Sequence, residues 1–175
     1  ALFDSDHVDI YSNTVVLNRD DGIYLDASPY GAVYWNRVSQ QDVFSDSYGI
    51  AVMGGSHHAV IYSNTLWSNE NGIGVQDSDY VDVRENLLYN NETDGIDILG
   101  SVGASILENR VRLSRYGLYL DAHTSGASVT QNRICLNEGQ DIYNSGTGYT
   151  GTDNTCTFTY NWNDSGVSDG CSNQC

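Results

Sequence analysis

The chain has 175 residues, with 7 Lys or Arg against 23 Asp or Glu, a formal charge of −16, and all of its cations are Arg. A surface this acidic repels phosphate backbones and anionic headgroups, so partnership with nucleic acid or a membrane surface is set aside. No stretch approaches the roughly 20 apolar residues of a membrane span, which sets aside membrane insertion.

With 39% apolar residues, 18 Gly, one Pro and one Met, the composition describes one turn-rich domain that folds mainly as β structure. The opening Ala1-Leu2-Phe3-Asp4-Ser5-Asp6 has neither the basic region nor the apolar run of a signal peptide, and reads as a mature or trimmed start.

From about residue 6 to residue 145 the chain repeats. Asn recurs at 13, 36, 64, 86, 109 and 132, at intervals of 23, 28, 22, 23 and 23. Gly runs in parallel at 22, 49, 72, 95 and 117, with Asp141 in the sixth place. Three residues before each Asn stand Ile10, Val33, Ile61, Val83, Ile106 and Val129; two after it stand Val15, Val38, Leu66, Leu88, Val111 and Ile134. One residue after the Gly column come Ile23, Ile50, Ile73, Ile96, Leu118 and Ile142. These inward columns alternate with polar ones, the period-2 signature of strands with one buried face, and predict three short strands per repeat.

No single coil of this kind buries its face alone, so the repeats stack as a parallel solenoid of about six coils, on the order of 29 Å long at 4.8 Å per strand. Asn at a fixed bend is expected to tolerate left-handed backbone and to hydrogen-bond from coil to coil. Asn18, Asn69, Asn91 and Asn137 predict a second, partial ladder, and the Gly column is expected to supply positive φ.

Coil two carries extra residues around Phe44-Ser45-Asp46-Ser47-Tyr48, where a solenoid usually places a site. Residues 146–175 break the pattern and hold Cys156, Cys171 and Cys175, with Cys135 just upstream, so this segment reads as a carboxyl-terminal cap or assembly tail. The spacing resembles no zinc knuckle; disulfides are expected, with three connectivities open, and they imply an oxidising, extracytoplasmic compartment. Asn91-Glu92-Thr93 and Asn163-Asp164-Ser165 are glycosylation sequons at Asn91 and Asn163 that fit an extracellular or cell-surface location.

Motifs such as Tyr62-Ser63-Asn64-Thr65-Leu66 and Asn71-Gly72-Ile73-Gly74-Val75 resemble the right-handed, single-stranded parallel β-helix repeats of the pectate-lyase-like superfamily, especially its NosD-like and carbohydrate-binding and sugar-hydrolase groups. The resemblance covers about residues 6–145. It implies an all-β helix in which other members cover the first coil, whereas here few residues precede it. Fold of this kind does not fix function.

Asp20-Asp21 and Gly55-Ser56-His57-His58 are similar to the carboxylate pair and His turn of β-helical polygalacturonases, and His57 of that turn and Asp46 of the coil-two insertion are the weak catalytic candidates. The turn reading outranks them, because the same bend recurs as Glu70-Asn71-Gly72-Ile73 and Thr93-Asp94-Gly95-Ile96. Asp77-Ser78-Asp79 and Asp42 with Asp46 offer at most weak Ca2+ binding; no dedicated metal site or cofactor is expected. Tyr11, Tyr34 and Tyr62, beside Trp35, form an outward stripe suited either to a stacked ladder or to binding of sugar rings.

The leading expectation is a non-catalytic extracellular structural protein that assembles head to tail with copies of itself, or stacks on a preceding domain, through its first coil. The alternative is a β-helix that binds or degrades polysaccharide.

Overall fold

A computed structural model of the chain describes residues 1–41 and 47–175. Asp46, Asp42 and most of the coil-two insertion therefore lie outside the described residues. The rest is an all-β solenoid of three parallel sheets, with eight, seven and six strands among the described residues. Each repeat contributes one strand to each sheet, and each strand pairs with its equivalent one coil away, as Ile73 does with Ile50 and Ile96. The first sheet contains the long strands Tyr48–Met53, Asn71–Gln76, Asp94–Leu99 and Tyr116–Leu120, which follow or contain the Gly column. The second contains strands before the Asn, such as Val60–Tyr62, and the third those after it, such as Thr65–Trp67.

The inward columns meet in one core: Val33, Ile61, Val83, Ile106 and Val129 are fully buried, as are Leu66, Leu88, Ile73, Ile96 and Leu118. In the first coil, Val8, Ile10 and Val15 pack against this core but are only half-buried.

The Asn column forms the expected ladder. Each Asn Nδ2 donates to the Asn Oδ1 of the next coil, from Asn13 to Asn36 at 3.0 Å through to Asn109 and Asn132 at 3.0 Å. A further rung, Asn154, receives from Asn132, and Asp164 ends the row by accepting from Asn154 Nδ2 at 2.7 Å and Asn154 N at 2.9 Å. The reason for the bend differs from the expectation. The left-handed residue is the one before the Asn, as at Ser12, Trp35, Ser63, Glu85, Glu108, Gln131 and Asp153. The Asn side chain holds the corner together instead of adopting the unusual backbone itself.

The Gly column is likewise there for space. Gly72 and Gly95 are not among the positive-φ residues, but a Cβ at Gly72 would stand 2.3 Å from the Gly95 carbonyl oxygen and 2.6 Å from Leu88. Coils approach too closely at this corner for a side chain.

The second ladder runs Asn18, Gln41, Asn69, Asn91, with Gln41 filling a rung the Asn pattern left blank. It is interrupted at Ser114 and resumes at Asn137, which donates to Asp141. A third row of hydroxyls, Ser28, Ser56, Ser78 and Ser101, accepts backbone N–H groups from coil to coil.

The tail continues the solenoid before it caps it. Thr150–Thr152 joins the second sheet, Thr155 bridges to Arg133 beside the third, and Thr159–Tyr160 joins the first. Residues 161–175 then fold over the end with Trp162 buried. The disulfides are Cys135–Cys175 and Cys156–Cys171, which ties the cap to the third sheet and closes the cap on itself.

Candidate functional site

The outer face of the first sheet carries a register column of Tyr24, Ala51, Gly74, Asp97, Tyr119, Tyr143 and Tyr160. Tyr119, Tyr143 and Tyr160 stack at 5.0 and 4.7 Å between ring centroids. Tyr24 stands at the other side, tilted against Phe3 at 5.6 Å. The small and acidic residues between these aromatic blocks leave a depression, roughly 19 Å from Tyr24 to Tyr119 at 4.8 Å per strand. This groove has a volume of about 640 Å³, in the range of small-molecule sites.

Tyr48 shapes its floor. The ring lies across Gly74, where a Cβ would come within 2.3 Å of Tyr48 Cε1, and its hydroxyl donates to Asp97 Oδ2 at 3.1 Å. Asp21 Oδ1 accepts the Tyr48 N–H at 2.7 Å, and Glu70 Oε2 accepts the Ser47 N–H at 2.9 Å. Burial pushes the Asp21 carboxyl up, and the bond from Tyr48 only partly opposes it.

Asp94 is different. It is 9% exposed, it lines the groove, and its Oδ1 is buried without a hydrogen-bond partner. Burial pushes its carboxyl up to about 7 against a weaker lowering influence from Arg115. A carboxyl in this state donates a hydrogen bond when protonated and is a poorly solvated anion when not.

The expected site residues fall elsewhere. Tyr11, Tyr34 and Tyr62 stack face to face at 5.1 and 4.7 Å, with Arg84 over the far face of Tyr62 at 4.6 Å. The faces of Tyr34 and Tyr62 are covered within this stack, which leaves the outer face of Tyr11 and the ring edges and hydroxyls to a ligand. Trp35 stands edge-on to Tyr34 and is 61% exposed. His57 lies at an exposed bend away from the groove, its Nδ1 accepting the Asp79 N–H at 2.8 Å. Asn91 is buried at 1% exposure with its amide oxygen bonded by Asn69, so a folded chain has no room for a glycan there; Asn163 is exposed. Arg84 pairs within its own coil, with Asp82 at 2.9 Å and Glu85 at 3.2 Å.

A row unmarked in the sequence reading lies at the bend six residues before the Asn. His7, Tyr30, His58 and Tyr80 stack at 5.0 to 5.2 Å, all with left-handed backbone, where the later coils use Gly103, Gly126 and Gly148.

This architecture is that of an extracytoplasmic parallel β-helix with a groove on one outer sheet. Residues 1–170 match the family described as periplasmic copper-binding protein (NosD), and the chain belongs to that family. Family and disulfides together place it outside the cytoplasm. It is similar in fold to the crystal structure of Dettilon tailspike protein, with a TM-score of 0.66 and 19% identity over 83% of this chain and 35% of that one. The chain thus spans about a third of that protein's length. Two structures of QnrB1, a plasmid-mediated fluoroquinolone resistance protein, align with TM-scores of only 0.25 and 0.26 at 10% identity, over 89% of this chain and 82% and 83% of theirs. No curated protein sequence matches the chain.

The residues present do not fit the copper of the family description. All four Cys are in disulfides, His58 is sandwiched between Tyr30 and Tyr80, and His123 Nδ1 lies 3.0 Å from Asp121. Among the described residues no three His, Cys, Asp or Glu converge on one point.

Proposed function

We propose that this protein is an extracytoplasmic polysaccharide-binding β-helix whose ligand lies in the groove of the first sheet. The observation that supports it is the groove itself: Tyr24 and Tyr48 set among carboxyl acceptors, with Asp94 buried and unpartnered at its side. Aromatic rings and a few placed polar groups in a concavity are a usual means of holding a sugar chain. Calorimetry against neutral, amino-bearing and uronate oligosaccharides tests the reading. Binding that Tyr24→Ala weakens is expected; no binding across the panel would refute it, and product release in the same mixtures would make the protein an enzyme.

A second reading keeps self-assembly or surface display. Its support is the first coil, where Val8, Ile10 and Val15 are half-buried beside the core. A stacked neighbour, either a second copy or a preceding stretch of chain, completes their burial, while acidic sides discourage lateral clumping. Light scattering and electron microscopy should then show concentration-dependent growth along one axis that Val8→Asp abolishes. A particle that stays monomeric at high concentration counts against copies as the partner.

A further inference from the structure

The groove is set apart by the sign of its charge. Asp21, Asp26, Glu70, Asp77, Asp94 and Asp97 line it, and no Arg, Lys or His does among the described residues. These carboxyls do not close on one point as a cation site requires. They are spread along a trough, an arrangement that fits an extended ligand bearing many O–H or N–H donors. Asp94 gives the second indication: nine-tenths buried, its Oδ1 without a partner, it is a polar group the fold leaves unsatisfied.

We infer that the groove takes glycans whose units are neutral or carry amino groups, and rejects chains of uronic acids. The inference rests on the glycan-binding reading and narrows it. A carboxylate on every sugar unit would face this run of carboxyls, and none of the residues that line the groove supplies a counter-charge. A neutral unit meets acceptors for its hydroxyls, and an ammonium group meets opposite charge. Burial raises Asp94 to about 7, so at about pH 6 it is mostly protonated and adds little negative charge of its own to the groove. The basic residues Arg110, Arg112 and Arg133 stand together on the third sheet, so any uronate bound to the chain must be located as well as detected.

The test is calorimetry with amide chemical-shift mapping on the whole chain, using hexamers of β-1,4-glucose, glucosamine and galacturonate at about pH 6, where uronates are ionised. The glucose or glucosamine hexamer should move amides of Asn71–Gln76 and Asp94–Leu99. The galacturonate hexamer should bind there at least about tenfold more weakly, or move only the Arg110 and Arg133 region. Asp26→Asn with Asp77→Lys, at half-buried and exposed rim positions, should narrow the preference by about tenfold; Asp77→Asn alone, read by the same maps, covers a misfolded double variant. Equal or tighter galacturonate binding in the groove overturns the inference and leaves the glycan reading standing. Failure of every hexamer to bind overturns both.

Discussion

Asp164 and Asp94 are both carboxyls taken almost wholly out of water, yet their surroundings are opposite. Asp164, 2% exposed under the cap, accepts from Asn154 N and Nδ2, Ser172 N and Oγ, and Trp162 Nε1. Burial acts to raise it, and the bonds from Asn154 and Ser172 outweigh that, so it is held below the usual carboxylate range. Asp94 has comparable burial without such donors and moves the other way, to about 7. The same side chain thus locks one region of the solenoid and is left unsatisfied in another. A buried group without partners is a cost to the fold, which makes the groove the place to look for a ligand.

The largest way to break this contrast is at the locked end. Asp164→Ala leaves the last rung of the Asn ladder, the Trp162 indole and Ser172 without their acceptor, and should cost about 3 kcal/mol or more in thermal or urea unfolding at neutral pH. Because its folded value is lowered, the stabilisation from Asp164 is present above the unfolded carboxyl value near 3.8 and is lost as pH falls through the folded one. A wild-type advantage unchanged at strongly acid pH would contradict this.

Next in size is the staple. Replacing Cys135 and Cys175 by Ser opens a link that spans 40 residues and should cost about 2–4 kcal/mol, with residues 161–175 cut first by protease. Glycan affinity should not change, since cap and groove are separate regions.

At the groove the sign reverses. Asp94 is raised from 3.8 to about 7, so the unfolded chain ionises first and stability falls as pH climbs through that window. Asp94→Asn should therefore stabilise the protein at about pH 8 by ~1–3 kcal/mol and have little effect at about pH 4, measured by unfolding midpoints.

The smallest effect sharpens the comparison within one ladder. Ser114 occupies a rung where Asn is missing, and Asn91 Nδ2 and Ser114 Oγ are both buried without partners. Ser114→Asn supplies an acceptor for Asn91 and a donor toward Asn137, and should add about 1 kcal/mol. Loss of stability would mean the corner has no room for the amide.

Much of the fold is legible because the columns carry it. Identical residue types at fixed intervals, such as Ile61, Val83 and Ile106 before the Asn, declare which face is inward, and from the second coil onward the buried core agrees residue by residue. What escaped are features whose identity changes along the column. Asp164 ends the Asn row ten residues after Asn154, as an acid where an amide was the pattern. The Ser28 to Ser101 ladder is hidden by how common Ser is in turns. Gly72 looks like a residue chosen for φ, but spacing alone does not reveal the approach of the Gly95 carbonyl.

The groove was harder still. Its signal is a dip in the outer column, Ala51 and Gly74 between Tyr24 and Tyr119, and its floor exists only because Tyr48 from another column lies across Gly74. Asp94 reads in sequence as one more turn residue. Its burial is a property of the corner between two sheets, which only the packed coils create.

The most direct measurement is a carboxyl NMR titration of Asp94, first alone and then with a saturating β-1,4-glucose or glucosamine hexamer. The account predicts a midpoint near 7 in the free protein that moves when the glycan binds. A midpoint in the ordinary carboxylate range, about 4 and indifferent to glycan, would contradict it.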